Sequence, residues 1–411
     1  MLFALSFLLV FSSSYFIASI FTKKAYEHFV YTLLTSFANL VLTFEVLSLF
    51  KAISLPWVLT FNIIIFIVTS VTWFKKGKPV FIPDFKSFIN RYKNICKIDK
   101  SFIVLAICFA IFMIGTFALC LFLPVTNADA LDYHVARCFF YLKNGSFLHF
   151  NTADVRLLIF PINSEIIYSW ILMMLKKDAL LGFVSYFGFL LSITSIYKFM
   201  KLAGFSLRKI LWSIFVLSSL ASIIVQISGT ETDVLTASLI LSSIVLFWVS
   251  IKEKNIVPLI YSSLAYALSI GTKTTGIIAI PAVALIMLFL SAKFKNYKNF
   301  GIFCLLCTVN FLVFSSYNYI LNLIDFGNIM GTTSSIVVHK NFYGIKGMVA
   351  NFVRHIFKFF DFTGFKWGDY IGNYIVAVRA HIMSFLHVAS IPEGVYSEER
   401  GVYGINGTLL E

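Results

Sequence analysis

The chain has 411 residues, of which 59% are hydrophobic and only 13% are charged, and its mean hydropathy is +0.88. A soluble domain carries about 25% charged residues because its surface faces water, so lipid must cover much of the surface of this chain. The net charge of +14 does not indicate nucleic acid as a partner, because the basic residues occupy short connectors between apolar runs. That distribution is typical of a polytopic membrane protein.

Apolar runs long enough to cross a bilayer recur along the chain, since roughly 20 residues suffice for a transmembrane helix. They predict about ten spans, at 1–20, 29–50, 54–74, 101–123, 179–199, 210–228, 234–251, 257–271, 276–292 and 300–321. No basic residue precedes the first run, whereas a cleaved signal peptide begins with positive charge. We therefore expect a first span with an external N-terminus.

The basic connectors predict the sidedness of the chain, because cytoplasmic loops are enriched in Lys and Arg. These connectors are 21–28, 75–100, 198–209, 252–254 and 293–298. With all of them in the cytoplasm, the other connectors lie outside, namely 51–53, 124–178, 229–233, 272–275 and everything after 321. This parity requires that the short apolar stretch 161–176 does not cross, so we expect a re-entrant or surface-lying helix there.

The spans divide the chain into four regions. These are extra N-terminal transmembrane helices (1–74), a basic cytoplasmic loop (75–100), a transmembrane core with the external loop 124–178 (101–322), and an external C-terminal region (323–411). A helix is predicted at 345–360 in the last region. The apolar segment 371–390 contains Arg379 and His381, which are costly in lipid, so we do not expect it to span.

The first external loop carries the richest set of reactive side chains. Asn127 is a predicted N-cap and Asn144-Gly145 a predicted stop, which gives a helix over 128–143. Within it Asp129, Tyr133 and Arg137 recur every four residues and fall on one face, with Asp132 beside them.

The helix dipole favours a negative charge in the first turn of that helix, so Asp129 is a candidate general base. An ordinary amphipathic surface helix with a solvated charged face explains the same pattern. A metal site formed by Asp129, Asp132 and His134 is disfavoured, because His134 points about 140° away from Asp129 on an α-helix. We expect His134 to be a packing or hydrogen-bonding residue.

Two tight turns at the outer ends of spans carry further charged residues. The first, Gly229 to Asp233, contains Glu231 and Asp233, although a helix N-cap at Thr232 or Asp233 also explains it. The second, Gly271 to Gly276, places Lys273 among hydroxyls and glycines, which suits a phosphate. It lacks the glycine spacing and strand context of a P-loop, and a snorkelling lysine explains it as well.

The order of these motifs resembles the GT-C superfamily of polytopic glycosyltransferases. An Asp-x-x-x-Tyr helix leads into Asn144-Gly145-Ser146, and Phe160-Pro161, the acid at 233 and the Thr-Lys-Thr-Thr-Gly turn follow. The stretch over 100–335 looks most like bacterial relatives of the protein O-mannosyltransferases and of the lipid A aminoarabinose transferase. The resemblance implies an all-α polytopic membrane protein with a GT-C-like transmembrane helix bundle and external juxtamembrane helices.

The resemblance also implies an activity. Such an enzyme moves a sugar from a polyprenyl-phosphate donor to a hydroxyl of a glycan, lipid or protein acceptor, at the external (periplasmic) side of a cell inner or plasma membrane. It involves no nucleic acid and no certain cofactor, although a divalent metal is compatible with the superfamily. Two alternatives are a lipid-linked saccharide polymerase and a lipid-saccharide transporter or flippase. Arg-rich external loops would favour the polymerase. Several intramembrane charges would favour the transporter or flippase, and only Glu45 stands out as such a charge.

The roles implied by the resemblance transfer to individual residues. The catalytic set is Asp129, Asp132 and Asp233, and the substrate-binding set is Tyr133, Arg137, Arg156, Glu231 and Lys273. Two features depart from the pattern of the superfamily. Asp129 is followed by Ala130 rather than by a glutamate, so Asp132 is the candidate second carboxylate, and the C-terminal spans and soluble part of the relatives are reduced or missing.

Overall fold

The computed structural model describes residues 2–339, 341–358, 360, 368–391, 395–397 and 401–403. The chain divides into two units, Met1–Ile329 and Met330–Glu411. The helices of the first unit are α1 (Leu2–Phe21), α2 (Ala25–Leu49), α3 (Leu55–Lys75), α4 (Phe85–Ile98), α5 (Ser101–Phe122), a π-helix (Ala130–His134), α6 (Val135–Asn144), α7 (Arg156–Ile159), α8 (Asn163–Leu175), α9 (Phe183–Leu202), α10 (Leu207–Ser218), α11 (Ala221–Ile227), α12 (Asp233–Glu253), α13 (Ile256–Thr272), α14 (Thr275–Ile278), α15 (Ile280–Lys293), α16 (Tyr297–Phe314) and α17 (Tyr317–Phe326).

Seven of the described helices are long and apolar enough to cross a membrane, namely α1, α2, α3, α5, α9, α12 and α16. The protein is therefore a multi-pass helical membrane protein. Two further predicted spans are the shorter apolar helices α13 and α15.

The expectation of about ten continuous spans needs correction at three places. The predicted span 276–292 is divided between α14 and α15 at Ala279. The predicted span 210–228 consists of α10 and α11, because the backbone of Leu220 is extended and interrupts the helix. The predicted span 300–321 ends at Phe314, and α17 follows as a separate helix.

The connectors of the first unit collect at two ends of the helix bundle. At one end, Lys24 pairs with Glu253 at 2.6 Å and Arg208 with Asp99 at 2.6 Å. We call this the basic end; it contains the connectors 22–24, 76–100, 203–206, 254–255 and 294–296. The opposite end contains 50–54, 123–182, 228–232, 273–274 and 315–329, and we call it the site end. There the Tyr168 hydroxyl donates to the Thr230 carbonyl at 2.8 Å.

Helix α2 lies in the core of the first unit. Its residues Val30, Leu34, Val41 and Phe44 are buried, and it packs against α8, α9, α13 and α16. The rings of Tyr31 and Tyr261 stack with centroids 3.8 Å apart. Helix α2 therefore belongs to the packed core of the first unit.

Helix α8 occupies the apolar stretch for which we predicted no crossing. Its 13 residues extend about 20 Å, which is shorter than the roughly 30 Å hydrocarbon core. The chain enters this segment after α5 and leaves it beside α5 again, since the Leu180 amide donates to the Cys120 carbonyl at 3.2 Å. The helix stays at the site end, buried against α2 and α6 rather than on the surface.

The second unit contains α18 (Thr333–His339), α19 (Gly344–Lys358), α20 (Gly368–Phe385) and the strands β1 (Val395–Ser397) and β2 (Gly401–Tyr403), which pair antiparallel. Helices α19 and α20 pack together around Ala350, Val353 and Met383. Helix α19 matches the predicted helix at 345–360. Helix α20, which carries Arg379 and His381, is not among the candidate spans. Residues 340, 359, 361–367, 392–394, 398–400 and 404–411 of the predicted C-terminal region lie outside the described residues.

Candidate functional site

In the loop that follows α5, a helix begins after Asn127 and ends before Gly145, as the sequence predicts. The Asn127 side-chain oxygen accepts a hydrogen bond from the Ala130 amide at 3.2 Å, which is an N-cap. The helix stops at Gly145, whose φ is +63°. A Cβ atom there would lie 2.9 Å from the Lys51 carbonyl oxygen, so both the backbone conformation and the close approach require glycine.

Between these caps the helix is not α-helical throughout. Residues Ala130–His134 form a π-helical turn before α6, a feature that is frequent at functional sites. Asp129 and Asp132 are exposed and Tyr133 is half-buried. Arg137 is completely buried whereas Asp129 is exposed, so the two side chains do not form a common exposed surface. The wider π turn offsets every later residue from the α-helical register on which the predicted face relied.

Arg137 lies beneath the site in a buried polar cluster with Glu165, His134 and Ser164. Its guanidinium donates to the Phe160 and Pro161 carbonyls at 2.8 and 2.7 Å and pairs with the Glu165 carboxylate at 2.5 Å.

The Glu165 carboxylate also pairs with His134 and accepts from the Ser164 hydroxyl at 2.8 Å. Burial alone raises the pKa of Glu165, but Arg137 and His134 outweigh burial and lower that pKa to about 2. Arg137 therefore positions the chain and is not free to bind a phosphate. His134 is a hydrogen-bonding residue, as the sequence predicts.

Arg156, unlike Arg137, lies at the surface. It pairs with Asp154 at 2.8 Å and with Asp132 at 3.6 Å, and its guanidinium carbon lies 5.9 Å from the centre of the Tyr133 ring. Its hydrogen bond to Asp154 raises the pKa of Arg156, with smaller contributions from Asp132 and Asp129. Arg156 thus lies over the exposed face of the loop helix.

The two predicted turns meet in the structure. The Lys273 ammonium donates to the Asp233 carboxylate at 2.7 Å, and the Asn127 side chain donates to Glu231. Asp233 begins α12, and Thr232 at the N-cap position makes no capping hydrogen bond through its side chain.

Tyr133 experiences the charges of both the first loop and these turns. Burial raises the pKa of Tyr133, and the charges of Asp129, Glu165 and Asp233 raise it further, while Arg137 opposes them. The Tyr133 hydroxyl therefore lies within electrostatic range of both Asp129 and Asp233. We refer to the side chains gathered at this surface as the charged cluster, which comprises Asp129, Asp132, Tyr133, Arg156, Glu231, Asp233 and Lys273.

The first unit contains an apolar cleft of about 290 Å³. Its walls belong to α1, α2, α8, α9 and α12, and Ser36 is the one polar residue among aliphatic and aromatic neighbours. The α12 wall begins at Leu235, two residues after Asp233. A hydrocarbon chain fits this environment, because it leaves no polar group unpaired.

The residues that hold the end of α7, the helix that begins with Arg156, were not identified from the sequence. The Asn318 side chain donates to the carbonyls of Leu158, Ile159 and Phe160 at 2.9–3.1 Å, which fixes the end of α7. Asn322 donates to the Ile159 carbonyl at 2.9 Å. Two asparagines one turn apart in the short helix α17 were the available signal.

The described residues contain no group of three or more His, Cys, Asp or Glu side chains placed to hold a metal ion. No family model matches this chain, and neither a curated protein nor a solved structure matches it. The arrangement of the charged cluster and the apolar cleft is therefore the basis for a functional proposal.

Proposed function

We propose that this protein is a GT-C-type glycosyltransferase that moves a hexosyl or pentosyl group from a polyprenyl-phosphate donor to a hydroxyl of a glycan, lipid or protein. The observation that carries the proposal is the contact between Lys273 and Asp233, beside the surface formed by Asp129, Tyr133 and Arg156. A site for transfer from a lipid phosphate needs both cations and a base, and this surface supplies both.

The reaction takes place on the non-cytoplasmic face of an inner or plasma membrane. The support is the distribution of charge: most Lys and Arg residues of the first unit belong to the basic end, which the positive-inside rule assigns to the cytoplasm. The charged cluster lies at the opposite end.

Lys273 and Arg156 bind the donor phosphate, and the apolar cleft takes the adjoining part of the polyprenyl chain. The two cations stabilise the negative charge that grows on the phosphate as the sugar leaves, which is usually the largest contribution to catalysis in such sites. Arg137 has no part in this step because it is buried and paired with Glu165.

Asp129 accepts the proton of the acceptor hydroxyl as that oxygen attacks the anomeric carbon. The new carbon–oxygen bond forms while the bond from the anomeric carbon to the phosphate oxygen breaks, so polyprenyl phosphate leaves and the configuration inverts. Asp132, held by Arg156, is the second carboxylate near the base. Asp233 orients Lys273, and Glu231 and Tyr133 contact the sugar.

The test is release of polyprenyl phosphate from a radiolabelled polyprenyl-phosphate sugar by the purified chain in liposomes, with an envelope lipid and glycan extract as acceptor. We expect release only when acceptor is present. Because general-base assistance contributes about 10²–10⁴ in rate, Asp129→Asn loses most of this turnover. The matched control is Asp178→Asn, which removes an exposed acid of the site end outside the charged cluster.

Three outcomes would contradict the proposal. Near-normal transfer by Asp129→Asn would show that Asp129 is not the general base. Movement of the labelled lipid across the bilayer without release would indicate a flippase. Growth of a long glycan from one lipid carrier would indicate a polymerase.

A further inference from the structure

Helix α4, in the connector between α3 and α5, is amphipathic. At 100° per residue, Phe85, Ile89, Tyr92 and Cys96 fall on one face. The helix also carries four cations outside this face: Lys86, Lys93 and Lys97 flank it on one side, about 70–110° from its centre, and Arg91 lies about 130° from its centre on the other side. The carboxylate of Asp84 caps the helix by accepting from the Ser87 amide at 3.0 Å.

The apolar face is covered by protein over only part of its length. Towards the C-terminal half, Tyr92 and Cys96 are half-buried, and the Tyr92 hydroxyl donates to the Phe102 carbonyl at the start of α5. Towards the N-terminal half, Phe85 is 66% exposed and Ile89 is 47% exposed. Two large apolar side chains thus point away from the first unit.

The cations of α4 form no ion pair with any residue in the described part of the chain. The two acids of the connector are engaged elsewhere, since Asp84 caps α4 and Asp99 pairs with Arg208 at 2.6 Å.

The position of α4 in the chain decides what covers these surfaces. Helices α3 and α5 are both candidate spans, and short connectors tie both ends of α4 to them. A helix held in this way lies in the plane of the interface, with its apolar face in the acyl region and its cations among the headgroups. Four cations that no described acid neutralises favour headgroups of negative charge.

We propose that α4 binds anionic phospholipid headgroups at the basic end of the bundle through Lys86, Arg91, Lys93 and Lys97, with Phe85 and Ile89 inserted among the acyl chains. The site is separate from the charged cluster and does not depend on the proposed transferase activity. It anchors the α3–α5 connector to the lipid surface.

The test is native mass spectrometry of the full chain in neutral detergent, titrated with phosphatidylglycerol or with phosphatidylcholine. We expect the chain to bind phosphatidylglycerol about tenfold or more tightly than phosphatidylcholine, given four cations near the headgroups. The variant Lys86→Gln/Arg91→Gln/Lys93→Gln/Lys97→Gln loses this preference. Because these side chains are exposed, the variant keeps its melting temperature.

A matched control removes four exposed lysines from the site end, as Lys51→Gln/Lys143→Gln/Lys176→Gln/Lys177→Gln, and we expect it to keep the preference. Retention of the preference by the α4 variant would overturn the proposal. An equal loss in the control would also overturn it, because binding would then follow net charge alone. Added salt should weaken phosphatidylglycerol binding to the unmodified chain, since exposed charges are screened.

Discussion

Replacing Arg137 by methionine tests whether the buried polar cluster holds the candidate site in place. The substitution removes the charge that Glu165 faces and leaves the Phe160 and Pro161 carbonyls without their donor. Removing one partner of a buried ion pair typically costs about 3–5 kcal/mol. The lowering of the Glu165 pKa from 4.5 to about 2 corresponds to about 3 kcal/mol, so a loss of about 4 kcal/mol in unfolding free energy is expected.

The assay is equilibrium unfolding in mixed micelles of a neutral detergent and SDS, followed by the fluorescence of the six Trp residues. Arg208→Met is the control, since it breaks an exposed ion pair with Asp99 and should cost no more than about 1 kcal/mol. The double variant Arg137→Met/Glu165→Gln should be about 1–2 kcal/mol more stable than Arg137→Met, because no uncompensated charge is then buried. The reasoning fails if Arg137→Met stays within 1 kcal/mol of the unmodified chain, or if the double variant gains nothing.

Three further predictions concern pH, the donor phosphate and the loop turn. Folding lowers the pKa of Glu165 to about 2, so the contribution of Glu165 to stability is complete above its ordinary pKa of 4.5 and is lost as the pH falls towards 2. Glu165→Gln should therefore flatten the acid side of the plot of unfolding free energy against pH. An unchanged acid side would count against an ionised, paired Glu165. Lys273→Met should raise the KM for the donor about tenfold or more without a comparable loss of stability, since it removes one charged hydrogen bond to phosphate; an unaltered KM would exclude that role. Gly145→Ala should lower the unfolding free energy by about 2 kcal/mol, because the alanine would have to adopt a positive φ and its Cβ would contact the Lys51 carbonyl closely. A melting curve like that of the unmodified chain would contradict the described turn.

Local signals in the sequence predicted local structure well. Asn127 as an N-cap and Gly145 as a stop depend on neighbouring residues only, and both are confirmed. Hydropathy located the seven long apolar helices, because both the bilayer and the packed interior of the bundle require apolar side chains. It failed at 210–228, since composition does not register the extended backbone at Leu220.

The candidate site was predictable only where topology alone brings residues together. Placing Lys273 and Asp233 at the same end of the bundle followed from the order of spans, and the structure puts these residues, 40 positions apart, in direct contact. The burial of Arg137 was not predictable, because it depends on a π turn and on Glu165 in a different helix. Asn318 was missed for the same reason, since its acceptors are carbonyls of α7.

The central claim is that the two loops of the charged cluster face the outside together and hold a lipid phosphate sugar. It is tested most directly by labelling single cysteines, introduced into a chain without its native cysteines, with a membrane-impermeant maleimide on intact cells or spheroplasts. Leu131→Cys and Thr275→Cys should react from outside, Lys209→Cys should react only after permeabilisation, and a polyprenyl-phosphate sugar should slow the labelling of Thr275→Cys. Labelling of positions 131 and 275 from opposite sides, or full reactivity of position 275 at saturating donor, would contradict the account.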